Sequence, residues 1–217
     1  MQSQQDWLAS VGRIIIVGAG GFGREVLLWA RDAWPDQASK IGGFLSADAA
    51  LPVPLPILGD PSDYAAEPDD GFVLAIGIPQ VRRRVVSQIE SRGGRFLTLI
   101  HPTAVVSPTA SVGEGAVICP YAIVSDAVRL GRFTLMNYHS SLGHDASTGD
   151  YAVLSPYATL GGGAVVEEDV FLGMHASVGP GKRVGQRSKV SANSAALCDV
   201  PADSLIHGVP GHVSSLM

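Results

Sequence analysis

The sequence predicts two fold classes in one chain: a small α/β unit over residues 1–99 and an all-β left-handed parallel β-helix over residues 100–217. The β-helix is predicted by an aliphatic residue that recurs every six residues from Ile100 without an insertion. Small residues recur with the same period, at the fifth position of each six. The α/β unit is predicted by a β-branched strand that runs directly into a glycine-rich turn and a helix.

The α/β unit begins with a predicted strand at 13–17, a G-x-G-x-x-G turn at 18–23 and a helix at 24–33. These are the parts of a half-Rossmann βαβ unit, in which backbone N–H groups at the helix N-terminus face an anion. The alternative is a small cap whose glycines only permit close packing. A proline-rich loop covers 51–56, and the later predicted elements are strands at 41–45, 72–76 and 96–99 and a helix at 80–92.

The first position of the six-residue repeat is aliphatic or Met, with two exceptions, Thr148 and Ala196. A period of six fits neither a helix nor a simple strand, but it suits one flat side and one corner of a triangular prism. Three sixes then make one coil of eighteen residues, and successive coils pair as parallel strands about 4.8 Å apart. Glycines that follow the aliphatic residue, such as Gly113 and Gly131, are expected to form tight corners.

Composition limits the classes of partner and compartment. The net charge of −5 argues against nucleic-acid binding, which needs a basic face. No apolar run approaches the roughly 20 residues of a membrane span. Two cysteines and an N-terminus without a basic, apolar leader predict a reducing cytoplasm. An anionic ligand needs local cations, for which Arg82–Arg84 and the cluster at 182–189 are candidates, with solvated surface charge as the alternative.

Stacking at eighteen-residue intervals predicts which side chains share a column on the β-helix surface. One column is Tyr121, His139, Tyr157, His175 and Asn193, and a second is Asp126, His144 and Gly162. A third column is apolar and is expected to pack against a neighbouring subunit in a homotrimer. It consists of Leu135, Val153 and Phe171.

His144 is followed directly by Asp145, and its stacked neighbour lies in the run Gly161–Gly163. A carboxylate that holds an imidazole fixes its tautomer and favours the imidazolium that forms as a proton is taken, so the pair is a candidate general base. The glycines allow a ligand to approach the backbone closely. His139 and His175 remain alternatives for the base, and no metal site is predicted.

Five ordered segments carry a resemblance to a known family: GAGGFGREV, FVLAIG, IHPTAVVSP, NYHSSLGHD and HGVPGHV. Together they resemble the hexapeptide-repeat sugar O- or N-acyltransferases of the sialic-acid O-acetyltransferase and bacillosamine or perosamine N-acetyltransferase type. The resemblance implies that His144 takes a proton from the acceptor, with Asp145 raising its basicity. It also implies acetyl-coenzyme A (acetyl-CoA) as the acyl donor and a nucleotide-linked sugar as the acceptor.

The resemblance implies contact residues for each ligand. Those for the nucleotide-linked sugar are Gly20, Gly21, Phe22, Ser46, Ala47 and Gly77, with Asn137 facing the acceptor. Those for coenzyme A (CoA) are Val153, Met174 and Ala192. The chain departs from the family in lacking a histidine at Phe22, aspartates at Ser46 and Ala47, and a second histidine at Val153.

The predicted function is acetyl transfer from acetyl-CoA to a nucleotide-linked amino sugar. The alternatives are an O-acetyltransferase of the same family and a catalytically idle scaffold that binds a nucleotide sugar. A nicotinamide oxidoreductase is disfavoured because the chain lacks a second nucleotide-binding half and an acidic ribose ligand.

Overall fold

The computed structural model describes residues 7–216, and the chain divides into two compact units, residues 1–101 and 102–217. No helix within residues 7–216 combines the length and the hydropathy of a membrane span. The elements of the first unit are β1 Arg13–Val17, α1 Gly21–Ala33, a 3-10 helix Pro35–Lys40, β2 Ile41–Leu45, β3 Ile57–Gly59, β4 Asp70–Leu74, α2 Pro79–Glu90, β5 Arg95–Phe96 and β6 Leu99–Ile100.

A five-stranded parallel sheet forms the centre of the first unit, in the order β3-β2-β1-β4-β5. The central strand β1 buries Ile14, Ile15 and Ile16 completely, as expected for a parallel strand covered on both faces. The predicted α/β class is confirmed. The short strand β3 was not predicted, because its three residues are only half-buried and follow the proline-rich loop without a hydrophobic pattern.

An ionic network joins the loop after β3 to the strands of this sheet. The carboxylate of Asp70 is fully buried and accepts hydrogen bonds from Arg13 Nε at 2.8 Å, Tyr64 Oη at 3.0 Å and Glu67 N at 3.0 Å. Burial, followed by the hydrogen bond to Asp70, raises the pKa of Tyr64 to about 12. The phenol therefore remains a hydrogen-bond donor at neutral pH, and the loop stays attached to the sheet.

The second unit contains sixteen two-residue strands, β7 to β22, and a C-terminal hairpin. Three faces are formed by β7-β10-β13-β16-β19-β22, by β8-β11-β14-β17-β20 and by β9-β12-β15-β18-β21. The strands are β7 Val105–Val106, β8 Ser111–Val112, β9 Val117–Ile118, β10 Ile123–Val124, β11 Arg129–Leu130, β12 Leu135–Met136, β13 Ser141–Leu142, β14 Ser147–Thr148, β15 Val153–Leu154, β16 Thr159–Leu160, β17 Val165–Val166, β18 Phe171–Leu172, β19 Ser177–Val178, β20 Arg183–Val184, β21 Lys189–Val190 and β22 Ala195–Ala196.

Strands on each face pair in parallel with a partner eighteen residues away, as Ile123 does with Ser141. The aliphatic residue of each six points inward, and Val124, Met136 and Leu154 are fully buried. The predicted left-handed parallel β-helix is confirmed. The polar exception, Thr148, is accommodated by a hydroxyl–hydroxyl hydrogen bond of 3.0 Å to Thr134.

The corners of the β-helix lie at the fourth position of each six, not at the glycines where they were predicted. Every sixth residue from Gly115 to Asn193 has a left-handed backbone, with φ between 54° and 67°. The glycines after the aliphatic residue have a different role. A Cβ on Gly113 would lie 2.5 Å from the backbone carbon of Gly131, so glycine there permits the next coil to approach closely.

After Val200 the chain leaves the six-residue repeat and forms a hairpin, β23 Ser204–His207 and β24 His212–Ser215, whose first strand pairs with β21. One further expectation about the second unit is wrong. The apolar column is not an exposed strip, because Leu135 and Val153 are only 1% and 2% exposed. Their side chains are already covered within the chain, so they offer no apolar surface to a subunit.

Candidate active site

His144 and Asp145 occupy one corner of the β-helix, between the β13 and β14 faces. Asp145 is the corner residue itself, with φ at 60°, a conformation that aspartate tolerates better than most residues. Its N–H donates to the Asp126 carbonyl at 2.9 Å, and the His144 carbonyl accepts from Gly163 N at 2.8 Å. The coils before and after therefore fix the backbone of both residues.

The two side chains contact each other at the surface. His144 Nδ1 lies 2.8 Å from Asp145 Oδ2, and the side chains are 71% and 68% exposed. A carboxylate accepts a hydrogen bond from Nδ1–H. The proton of the neutral imidazole then stays on Nδ1, and the free lone pair lies on Nε2. The arrangement can accept a proton at Nε2 from a group bound in front of it.

Gly162 lies against the imidazole, one coil later. A Cβ built on Gly162 would be 2.6 Å from His144 Nε2 and 2.8 Å from Cε1. One coil before His144, the Asp126 carboxylate accepts a hydrogen bond from the Thr109 hydroxyl. The predicted column of Asp126, His144 and Gly162 is present.

The alternative histidines lie in a ring stack at another corner, before β10, β13, β16 and β19. Tyr121, His139, Tyr157 and His175 stack with centroid separations of 5.1, 4.8 and 4.7 Å. We call this set the ring column. The contacts of its histidines are with aromatic faces, whereas the contact of His144 is with a carboxylate, so the geometry favours His144 as the base.

The residues implied for CoA and for the acceptor lie at the corner of the ring column rather than beside His144. Met174 is 54% exposed, and Ala192 is exposed one coil later. Val153, on β15, is 2% exposed, so its side chain presents no surface. Asn137 is half-buried, and its Oδ1 accepts the N–H of Tyr138 at 2.8 Å. Within the single chain, these residues therefore lie at a different corner from His144.

A cavity of about 510 Å³ opens in the first unit. Two predicted contact residues, Ser46 and Ala47, line it, as do Gly18 of the glycine turn and Ile76 beside Gly77. The lining also includes Arg84, a member of the predicted cation cluster. The other members of the lining were not predicted as contacts, namely Leu45, Asp60, Pro61, Ser62, Val81, Val85 and Gln88. Asp60, Pro61 and Ser62 form a turn after β3, and a Gly-Asp-Pro-Ser sequence is a recognisable turn signal.

Two charged groups of opposite sign line this cavity. Two hydrogen bonds lower the pKa of Asp60. The larger effect comes from the backbone N–H of Ser62, which donates to Asp60 Oδ1 at 2.7 Å, and the next from the Ser62 hydroxyl. Arg84 is the exposed member of the arginine cluster. Arg82 is fully buried and donates from Nη1 to the Ile76 carbonyl at 2.5 Å, which holds the turn that follows β4. Of this predicted cation cluster, Arg84 lines the cavity and Arg82 is buried in the unit.

The glycine turn contains two kinds of glycine. Gly18 has φ at 114°, and a Cβ on Gly23 would lie 2.0 Å from the Gly18 carbonyl oxygen, so both are needed for packing. By contrast, a Cβ on Gly20 would have no neighbour within 4 Å, and one on Gly21 would meet only Arg24 at 3.9 Å. The space beside Gly77 is equally open. Phe22 is half-buried edge-on against Trp29, at 6.0 Å.

The comparisons with known proteins find relatives of both units. Residues 13–89 match the model of the PglD N-terminal domain. The first unit is therefore similar to that domain from β1 to α2. GDP-perosamine N-acetyltransferase of Escherichia coli O157:H7 is 30% identical over 147 residues, which cover 60% of this chain and 61% of that protein. UDP-N-acetylbacillosamine N-acetyltransferase of Bacillus subtilis (strain 168) is 43% identical over 51 residues, 24% of each chain. The matches thus span less than two thirds of these curated relatives.

Solved structures match both units of the chain. PerB from Caulobacter crescentus, in complex with CoA and GDP-perosamine, has a TM-score of 0.85 at 28% identity, over 94% of this chain and 98% of that one. The acetyltransferase domain of PglB from Neisseria gonorrhoeae FA1090 has a TM-score of 0.83 at 25% identity, over 93% and 98%. The resemblance predicted from the sequence is confirmed.

Proposed function

We propose that the chain transfers an acetyl group from acetyl-CoA to the amine of a nucleotide-linked amino sugar, with His144 as the general base. The observation that carries the proposal is the exposed imidazole held at Nδ1 by Asp145, 2.8 Å away, with Nε2 above a residue that has no side chain. Relatives with the same two-unit architecture support it, since one binds both CoA and GDP-perosamine.

The chemistry follows from the position of Nε2. The neutral amine of the acceptor forms a C–N bond with the acetyl carbonyl carbon, and His144 Nε2 accepts the proton that the amine loses. The C–S bond of the donor breaks, and the imidazolium returns the proton to the leaving sulfur. Asp145 orients the ring and stabilises the imidazolium. A single base is sufficient because an amine loses only one proton.

The first unit is the proposed site for the nucleotide part of the acceptor. Its cavity has the volume of a ligand pocket and combines Arg84, a cation for phosphates, with Ser46 and Ala47. The backbone at Gly20, Gly21 and Gly77 is open to a ligand, and Phe22 completes the proposed contact set. For CoA we retain Met174 and Ala192 as contacts, with Val153 contributing only its backbone. We retain Asn137 as an acceptor contact.

We also propose that three copies associate, and the ring column replaces the buried apolar column as the surface that they cover. Tyr121, Tyr157 and Met174 are 56%, 45% and 54% exposed along this corner, and exposed apolar strips of this kind mark protein interfaces. A neighbouring copy that covers the strip brings the proposed CoA and acceptor contacts of one protomer towards the His144 corner of another.

Light scattering is therefore expected to give about three times the 22.5 kDa chain mass. Replacing Tyr157 by glutamate should reduce the mass, because a charge buried in an apolar interface is costly. A wild-type monomer at micromolar concentration would contradict the trimer.

The test of the function is an acceptor comparison with the full chain and acetyl-CoA. GDP-linked and UDP-linked amino sugars are each compared with the same sugar carrying a hydroxyl in place of the amine, and release of free thiol is measured. We expect release with at least one amine acceptor and background release with its hydroxyl counterpart. The reverse preference indicates an O-acetyltransferase, and binding of the nucleotide sugar without thiol release with any acceptor indicates an idle scaffold.

A further inference from the structure

A Cβ built on Gly162 would meet a side chain rather than the backbone, as a Cβ on Gly115 would meet the ring of Phe133. The three heavy atoms nearest to a Cβ built on it all belong to the His144 imidazole: Nε2 at 2.6 Å, Cε1 at 2.8 Å and Cδ2 at 3.2 Å. Real Cβ atoms essentially never approach other heavy atoms closer than 3.0 Å. The imidazole therefore occupies the space that any side chain at position 162 would need.

The two flanking glycines are explained by the backbone, whereas Gly162 is not. A Cβ on Gly161 would lie 2.7 Å from the backbone nitrogen of Pro180, and Gly163 has φ at 65°. Gly162 lacks a left-handed φ, and the nearest atoms to its Cβ are not backbone atoms. Within this run of three glycines, the next coil excludes a side chain from the first, the last stands at a left-handed corner that other residues also occupy, and the ring of His144 excludes a side chain from the central one.

We propose that Gly162 is a positioning residue, whose missing side chain sets the place of the His144 ring so that Nε2 faces the acceptor. The proposal rests on the function proposed above for His144. A methyl group at position 162 pushes the ring away from the coil. Because the side chain of His144 is 71% exposed, the ring has room to move and the fold stays intact. The displaced ring loses its 2.8 Å contact with Asp145 and carries Nε2 away from the acceptor.

Gly162→Ala is expected to lower kcat by about 10- to 100-fold, since a misplacement of about 1 Å in a catalytic group has effects of this size. The KM values for acetyl-CoA and the amino sugar and the melting temperature should stay close to those of the wild type. The matched control is Gly179→Ala. A Cβ there would meet Lys182 Cγ at 3.4 Å, an ordinary contact, and Gly179 has no left-handed φ. Its kcat is expected to equal that of the wild type.

A double-mutant comparison separates positioning from a general structural role. If Gly162 acts through the ring, adding Gly162→Ala to His144→Ala leaves the residual rate unchanged. A wild-type kcat in Gly162→Ala overturns the proposal. So does a further loss of rate in the His144→Ala background or a large fall in melting temperature, because either result shows an effect that does not pass through the ring.

Nuclear magnetic resonance of the histidine ring nitrogens tests the position of the ring without relying on activity. The ring signals of His144, assigned by their loss in His144→Ala, should shift in Gly162→Ala and stay unchanged in Gly179→Ala. Unchanged signals in Gly162→Ala overturn the inference whatever the function. Shifted signals together with full activity of His144→Ala support the steric role of Gly162 and overturn His144 as the base.

Discussion

His144→Ala should lower kcat by about 10²- to 10⁴-fold, the range of general acid–base assistance. The affinities for acetyl-CoA and for the amino sugar should change little, because the base acts in the transition state and not in the bound ground state. Asp145→Asn should cause a smaller loss, since Nε2 remains available but the ring loses the carboxylate that holds Nδ1. Initial rates of thiol release with both substrates saturating measure these effects.

The histidines of the ring column provide the comparison for this prediction. His139→Ala and His175→Ala remove the same side chain from a corner where its contacts are aromatic. Loss of turnover in either variant, combined with an active His144→Ala, places the base on the ring column and refutes the assignment.

Asp70→Ala should reduce the free energy of unfolding of the first unit by about 3 kcal/mol, the lower end of the range for breaking a buried ion pair. The lower end applies because Arg13 is 39% exposed and water can solvate it once the carboxylate is gone, whereas Asp70 is fully buried. The variant also removes the acceptor of Tyr64 Oη and of Glu67 N. Chemical denaturation followed by tryptophan fluorescence measures the change.

The matched control is Asp63→Ala, in the same loop but exposed, and its effect should stay within about 0.5 kcal/mol. An equal effect of the two substitutions would show that the network does not stabilise the domain. Asp70→Ala should also raise the KM for the nucleotide sugar. The reason is that the turn of Asp60 and Ser62, which lines the cavity, is continuous with Tyr64, whose N–H donates to the Asp60 carbonyl at 3.0 Å.

The β-helix was predictable because one short period determines every coil. The aliphatic column, the ring column and the position of Gly162 beside His144 all follow from stacking at eighteen residues. The reason for the glycines did not follow, because a sequence shows where glycine recurs but not whether φ or the next coil requires it. The left-handed corners instead carry bulky residues such as Phe133, Tyr151 and Arg187.

Other features depended on contacts that a local pattern does not encode. Strand β3 has no hydrophobic alternation. The C-terminal hairpin does not follow the six-residue period, although its first strand extends the β-helix face that contains β21. The near-complete burial of Leu135 and Val153 was also not visible in the six-residue repeat. The arginine cluster was a predicted source of cations for an anionic ligand. Only the three-dimensional arrangement shows that Arg84 lines the cavity while Arg82 is fully buried.

The unbroken register of the β-helix restricts how this chain can change in length. Deleting one residue between His144 and Gly162 would exchange inward and outward positions in every later coil and move Gly162 away from the His144 ring. Gaining or losing eighteen residues on either side of His144 and Asp145 keeps every column and changes only the height of the prism. Evolution can therefore lengthen or shorten the prism by whole coils without changing the corner that carries His144 and Asp145. A protein designer can do the same.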